Sequence, residues 1–396
     1  MPKNKKLKPY SQTNHYYLRN KVKLVHGGKE FFIRLKQLID EARHSIHIQT
    51  YIFDDDETGT FVADALIDAA KRNIDVYLIV DGFASQNLSK DFVKKLKQAG
   101  INFHFFEPLF RSRNFYFGRR LHHKVMVIDG VRALVGSMNI ADRYNDLPGR
   151  RAWYDLALYV EGEAAVALYW ICCKLWVKPS KIFKLPDNID DIIKSIPKEQ
   201  YCSVLVRQND WVNRKIQISR TYLNLARDAT DRISVINSYF LPRQVFLNRL
   251  KRAAKKGIEV RIILTKVSDI KIAKLAERYL YRSMLRNKIQ LYEYRPTMLH
   301  AKLAVSGNQV LTLGSYNVNG LSDFASVELN LDVKNEKFVR RVEKEIDDLI
   351  EKDCVAIDPT TYLTKPFSLK QLIQWISFQL IHLTLTVFTF YFRQKE

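Results

Sequence analysis

Twice along the chain, apolar runs of strand length alternate with stretches of helical spacing, in the same order. In the first passage Ala42-Arg43 leads into the apolar run Ile46–Phe53, and a helix follows that ends in Ala69-Ala70-Lys71-Arg72-Asn73. A short strand (Val76–Val80), a helix (Lys90–Ala99) and a strand (Asn102–Phe106) come next. In the second passage Ala226-Arg227 leads into Ile233–Phe240, and a helix ends in Ala253-Ala254-Lys255-Lys256-Gly257. Val260–Leu264, the helix Ile270–Arg286 and Gln290–Tyr294 complete the match. Asn73 and Gly257 stand where a helix ends on a left-handed residue. Strands alternating with helices of ten to fifteen residues predict βαβ units. The fold class expected is α/β: two homologous α/β domains, packed with pseudo-twofold symmetry around one shared site. The pattern places a basic N-terminal tail at 1–27, a first domain at 28–178, a linker at 179–215 and a second domain at 216–355. A separate C-terminal segment covers 356–396.

The 396 residues suffice for two cores, and 47% hydrophobic against 27% charged residues is a globular balance. The formal net charge of +22 directs attention to anionic partners: nucleic acid, an anionic bilayer or a polyanionic substrate. Cys172, Cys173, Cys202 and Cys354 show no metal spacing, and the adjacent pair lies in an apparent buried helix, Leu168–Trp176. All four are expected to be reduced core thiols. The Lys-rich start, Met1–Tyr10, has no apolar run after it, so no secretory signal is expected and folding is placed in the cytoplasm.

Each passage closes on the same polar set. His122, Lys124, Gly136, Ser137 and Asn139 recur at identical offsets as His300, Lys302, Gly314, Ser315 and Asn317. Residues i and i+2 of a strand face one side, so each His is expected to project beside its Lys. The strands Val131–Val135 and Gln309–Leu313 then deliver Gly-Ser and the Asn to the same pocket. Gly136 and Gly314 would let the backbone approach a substrate, with Ser137 and Ser315 beside them. His123 points the other way and is given no catalytic role.

These residue types suit phosphodiester chemistry. A neutral imidazole attacks phosphorus, and a protonated one on the other side delivers a proton to the leaving alkoxide. Lys124, Lys302, Asn139 and Asn317 stabilise the charge that develops on the phosphoryl oxygens. The scheme calls for no metal and no cofactor.

His122-x-Lys124-x4-Asp129-x6-Gly136-Ser137-x-Asn139 resembles the HKD motif of the phospholipase D superfamily. The resemblance extends from about Lys23 to Val355. Within the superfamily the chain is most similar to bacterial cardiolipin synthases of the shorter type, which lack N-terminal transmembrane helices. Gln49-Thr50-Tyr51-Ile52-Phe53-Asp54-Asp55-Asp56, Asp81-Gly82 and Asn237-Ser238-Tyr239-Phe240-Leu241-Pro242 carry that closer likeness. So do Tyr292-Glu293-Tyr294 and Leu299-His300-Ala301-Lys302.

The resemblance implies a phosphohistidine mechanism that joins two phosphatidylglycerol molecules into cardiolipin with loss of glycerol. His122 is the expected nucleophile and His300 the acid/base, although sequence symmetry leaves the reverse open. It further implies that Asp155 orients His300 and Glu328 orients His122. Asp129 is counted with the catalytic set as the motif's Asp. In the second motif Gly307 replaces it, within a Gly307-Asn308 hairpin turn, and activity is expected to survive.

The apolar run Leu372–Phe392, with Trp375 and basic flanks, is expected to meet a membrane, spanning it or lying in its interface. The loop Leu109–Leu121 mixes aromatic and basic residues, and Phe115, Arg119 and Arg120 are candidate lipid contacts. The expected location is the cytoplasmic face of the inner membrane and the expected partner an anionic phospholipid, with no nucleic acid. Competing readings are hydrolysis at the same site, a nuclease, and a non-catalytic lipid-binding scaffold.

Overall fold

The computed structural model describes residues 15–108, 119–176, 185–364 and 368–393. Both passages fold as the pattern predicts. In the first half, parallel strands Ser45–Thr50, Asp75–Asp81 and Asn102–Phe106 lie beside the antiparallel run Val125–Ile128, Arg132–Gly136 and Leu156–Gly162. In the second, Arg232–Asn237, Glu259–Thr265 and Gln290–Tyr294 lie beside Leu303–Ser306, Val310–Gly314 and Ser326–Lys334. Asn73 and Gly257 end their helices at φ 63° and 88°, so the left-handed C-terminal residue was legible.

Period-2 alternation sorts each strand between two cores. Val125, Val127, Ala133, Val135, Leu303, Val305, Leu311 and Leu313 face a core shared by the two halves, closed by the helices Glu163–Lys174 and Glu336–Asp353. Met126, Ile128 and Leu134 face the first half's outer helices, and Ala304 faces those of the second. The shared core therefore sets how the halves meet.

Two expected boundaries change. Tyr17–His26, placed in the basic tail, is a strand paired antiparallel with Leu156–Gly162. Its Lys and Arg residues hide the strand period, because burial rests on Asn20, Val22 and Val25 alone. Buried Asn20 caps the helix at Glu163, accepting the Ala164 N–H at 2.7 Å. Cys202–Asp210, placed in the linker, pairs along its length with Ser326–Lys334 and also meets Tyr17–His26. These two strands join the sheets of the halves. The four cysteines are buried free thiols.

Asp129 is not part of the reacting set. Its carboxylate accepts the backbone N–H groups of Arg43, His44 and Ser45 at 2.8–3.1 Å and meets Arg132 at 3.2 Å. It sits at φ 53° in the hairpin turn, a conformation that Asp tolerates better than most residues. Gly307 has the same φ of 53°. A Cβ there would stand 2.7 Å from the Asp231 carboxylate, so an Asp at 307 would crowd and repel a like charge. Loss of the second motif Asp is thus matched locally by Asp231.

Asp129→Ala should lower stability by roughly 2–4 kcal/mol, since buried N–H groups lose their acceptor and Ala is strained at positive φ. The activity per folded molecule should be unchanged. Urea unfolding together with activity normalised to folded protein checks both halves of that statement.

Candidate active site

The site lies where the two halves meet, at the ends of the strands that begin or finish beside it. Residues 122–124 and 300–302 are extended segments immediately before the strands Val125–Ile128 and Leu303–Ser306, rather than parts of them. They lie outside their strands because their hydrogen bonds go across the pseudo-twofold. The His122 N–H donates to Val327 O at 3.0 Å, and the His300 N–H to Tyr154 O at 2.7 Å. The residues after those acceptors are Glu328 and Asp155.

Each of these carboxylates binds the ring of the same histidine. His122 Nδ1 is 2.8 Å from Glu328 Oε2, and His300 Nδ1 is 2.7 Å from Asp155 Oδ2. The crossed pairing implied by the resemblance is present in full. Carboxylate on Nδ1 makes Nδ1–H the donor and leaves Nε2 with the lone pair. Both acids are completely buried. Burial pushes each carboxyl upward, but the His300 ring for Asp155 and the His122 ring for Glu328 pull further, helped by buried lysine and serine. Both carboxyls end below the ordinary carboxylate range.

The Gly-Ser pairs have a different job from the substrate contact expected of them. Ser137 Oγ donates to Asp155 Oδ1, and Ser315 Oγ donates to Glu328 Oε2. Ser322 adds a 2.6 Å donation to Glu328 Oε1. A Cβ on Gly136 would meet Leu156 O at 2.6 Å, and one on Gly314 would meet Leu329 O at 2.2 Å. These glycines let neighbouring strands close up so that the serine reaches the carboxylate.

Lys124 and Lys302 are almost wholly buried, and burial lowers the proton affinity of each, that of Lys302 to about 8. Here the halves differ. Lys302 Nζ stands 3.1 Å from His300 Nε2 and also donates to Ser238 Oγ at 3.0 Å. Both lysines donate to their own histidine's carbonyl, Lys302 to His300 O and Lys124 to His122 O at 2.9 Å, but Lys124 Nζ lies against the Tyr51 ring, 5.1 Å from its centre. Burial, then the Lys302 charge, lowers the His300 pKa to about 4. Burial likewise lowers that of His122. Both shifts favour the neutral imidazole.

The amides are anchored too. Asn139 accepts the Ile52 N–H at 3.2 Å and donates to Tyr144 OH at 2.7 Å. Asn317 accepts from Ser238 Oγ at 3.2 Å, which leaves its NH2 for the cavity it lines. Asp81, fully buried, accepts the Leu121 N–H at 2.8 Å and so fixes the approach to His122.

His122, His300, Asn139 and Asn317 open on one cavity of about 680 Å³. Tyr51, Arg120, Arg143, Tyr144 and Trp153 also line it. The Tyr51 ring lies 4.9 Å from His122, and the Tyr144 ring 5.1 Å from His300. Tyr144 and Ser322 were missed from the sequence. Each follows its Asn by five positions, but the two halves carry different residues there, so the repeat gave no signal.

The proposed lipid-facing loop is reassigned in part. Arg119 is about 10% exposed and ion-paired with Asp210 at 3.0 Å and Glu107 at 3.6 Å. Arg120 donates to Glu107 O at 3.2 Å and stacks over Phe83. Both side chains are thus tied to oxygen atoms of the protein itself. Phe115 lies outside the described residues. Trp375 is 43% exposed on the C-terminal helix, Leu369–Arg393. Among the described residues, no helix is long and apolar enough to cross a membrane, and no group of three His, Cys, Asp or Glu side chains is placed to hold a metal ion.

The chain is 28% identical to cardiolipin synthase B of Escherichia coli (strain K12), over 86% of this chain and 83% of that one. It is 32% identical to a cardiolipin synthase of Halalkalibacterium halodurans, over 78% of this chain and 61% of that one. Its fold resembles the crystal structure of phosphatidylserine synthase from Haemophilus influenzae Rd KW20, with a TM-score of 0.72 at 16% identity, covering 94% and 96% of the two chains. Polyphosphate kinase from Porphyromonas gingivalis is a more distant likeness, at a TM-score of 0.56 over 53% of that chain. The model of the family described as cardiolipin synthase, PLD-like domain, matches at residues 35–170 and again at 222–350, one match per half, and the chain belongs to that family.

Proposed function

We propose that the chain transfers a phosphatidyl group between lipids, joining two phosphatidylglycerol molecules into cardiolipin and releasing glycerol. The observation that carries this reading is the pair of imidazoles, each held by a carboxylate of the other half, opening on one cavity with buried lysines behind. The names of the relatives at 28–32% identity agree with it.

In the first step His122 Nε2 attacks phosphorus. A P–N bond forms and the P–O bond to glycerol breaks, while His300 Nε2–H gives its proton to the departing alkoxide. His122 is assigned the attack because Lys124 leaves its ring free, whereas Lys302 engages the lone pair of His300. The phosphodiester is itself an anion. Seated between Lys124 and Lys302, it opposes the field that keeps His300 neutral and so raises that ring's proton affinity. In the second step His300 takes the proton from a lipid hydroxyl, and the resulting alkoxide displaces His122 from phosphorus. Lys124, Lys302 and the Asn317 amide hold the phosphoryl oxygens, each such donor being worth roughly 3–4 kcal/mol of barrier. Asp155 and Glu328 keep the tautomers and stabilise each imidazolium as it forms.

A bilayer supplies both substrates, and the C-terminal helix has a face to meet it. Leu369, Ile373, Trp375, Ile376 and Leu383 are 43–73% exposed. With Lys370 nearby, this face suits peripheral contact with an anionic surface, on the cytoplasmic side of the inner membrane.

Purified protein incubated with phosphatidylglycerol vesicles should yield cardiolipin and free glycerol, and His122→Ala should reduce the rate by at least about 10³-fold. Phosphatidic acid as the sole lipid product would assign the site to hydrolysis, and equal rates for both proteins would overturn the mechanism. In vesicle flotation, Trp375→Ser plus Ile376→Ser should shift most of the protein from the floated to the soluble fraction. Unchanged flotation would remove this helix from the membrane contact.

A further inference from the structure

The helix Leu369–Arg393 lies beyond both segments matched by the family model, yet it reaches the reacting groups. Its early turns dock on the helix Lys271–Arg286. Gln374 and Ser377 are buried to 5% exposure, and the Phe378 ring lies 4.9 Å from that of Tyr279. One turn further on, Leu380, Ile381 and Thr384 enter the wall of the same cavity that His122 and His300 line. Ile270, Ile272 and Leu321 complete that side.

This wall has no counterpart in the chemistry described so far. Phosphoryl transfer needs charge and hydrogen bonds, which the histidines, asparagines and arginines of the cavity lining supply. Leu380, Ile270 and Leu321 remain 51%, 47% and 45% exposed. Three large aliphatic side chains left in water around one opening ask for an apolar occupant. A cavity of about 680 Å³ is the size that encloses a drug-sized ligand. It suits a headgroup with the first part of its chains, the remainder staying in the bilayer.

We propose that Leu380 and Ile381, from the C-terminal helix, form with Ile270, Ile272 and Leu321 an acyl-chain subsite of the active cavity, so that this helix decides which diesters the site accepts. The inference rests on the phosphatidyl reading of the site and adds to it a selection by chain length. A diester with chains long enough to cover the wall is held in place with its phosphorus before His122. A headgroup alone, or one with very short chains, meets only the polar groups of the lining. The helix also keeps bulk water from that side of the cavity once a chain is bound.

The test is calorimetric titration with dibutyroyl- and dioctanoyl-phosphatidylglycerol, each below its micellar concentration, with every protein carrying His122→Ala so that neither lipid is turned over. The full chain should bind the dioctanoyl lipid at least about ten-fold more tightly, because burying methylenes is favourable in proportion to area. Leu380→Ser plus Ile381→Ser should reduce that ratio to within about three-fold while leaving dibutyroyl affinity unchanged. Leu383→Ser, on the exposed face of the same helix, should keep the ratio of the His122→Ala parent. The proposal is overturned if that parent shows no chain-length dependence, if the double variant retains it, or if the double variant loses both lipids equally. It is also overturned if Leu383→Ser erases the ratio, since detachment of the helix would then be the cause. Binding is read without turnover and cardiolipin formation is assayed separately on vesicles with His122 intact, so a ratio in binding without cardiolipin in that assay would refute the transfer reaction and leave the subsite standing.

Discussion

Each histidine is held twice by the half of the chain to which it does not belong, once through its backbone N–H and once through its ring. The acceptors are consecutive residues: Val327 then Glu328 for His122, Tyr154 then Asp155 for His300. Asp155, Glu328, Lys124 and Lys302 are all nearly inaccessible to water. Separating the halves would leave buried charges without partners, and breaking one buried pair typically costs about 3–5 kcal/mol. The site and the interface are therefore the same structure. Neither half holds a competent histidine alone, and the shared apolar core between the sheets fixes the distance at which the exchange can occur.

Symmetry places the parts and departures from symmetry give them separate roles. Each lysine donates to its own histidine's carbonyl, but Lys302 also reaches His300 Nε2, whereas Lys124 lies against Tyr51. Tyr144 supports Asn139 where Ser322 supports Glu328. Asp129 pins the first hairpin, and Gly307 yields to Asp231 in the second. Two rings that begin as equivalents thus differ in the electrostatic field around Nε2, the atom to which the proposed mechanism assigns the reaction. The cavity lining is equally mixed, combining aromatic and cationic groups with aliphatic groups, some of them from the C-terminal helix.

Much of this was legible in the sequence, where the physical signal is local or repeated. Asn102–Phe106 and Gln290–Tyr294 fold over the expected residues, since each is an apolar run bounded by clear breaks. The His, Lys and Asn positions stood out because they recur at one spacing. The strands Tyr17–His26 and Cys202–Asp210 did not, because their long pairings are with partners more than a hundred positions away. Gly136 and Gly314 were expected near substrate but serve strand packing, which depends on carbonyls of a neighbouring strand. Arg119 looked like a lipid contact in a basic loop. Its partner Asp210, 91 positions later, was invisible to any local reading.

The central claim is that the halves build one site in which His122 takes the phosphatidyl group and His300 manages the proton. A phosphatidyl p-nitrophenyl ester tests it directly, because nitrophenolate leaves without needing an acid. His300→Ala should still release a burst of nitrophenolate of about one equivalent and accumulate acid-labile phosphoenzyme, while His122→Ala gives neither. A burst from His122→Ala and none from His300→Ala would contradict the assignment, and a burst from both would contradict a covalent histidine at this site.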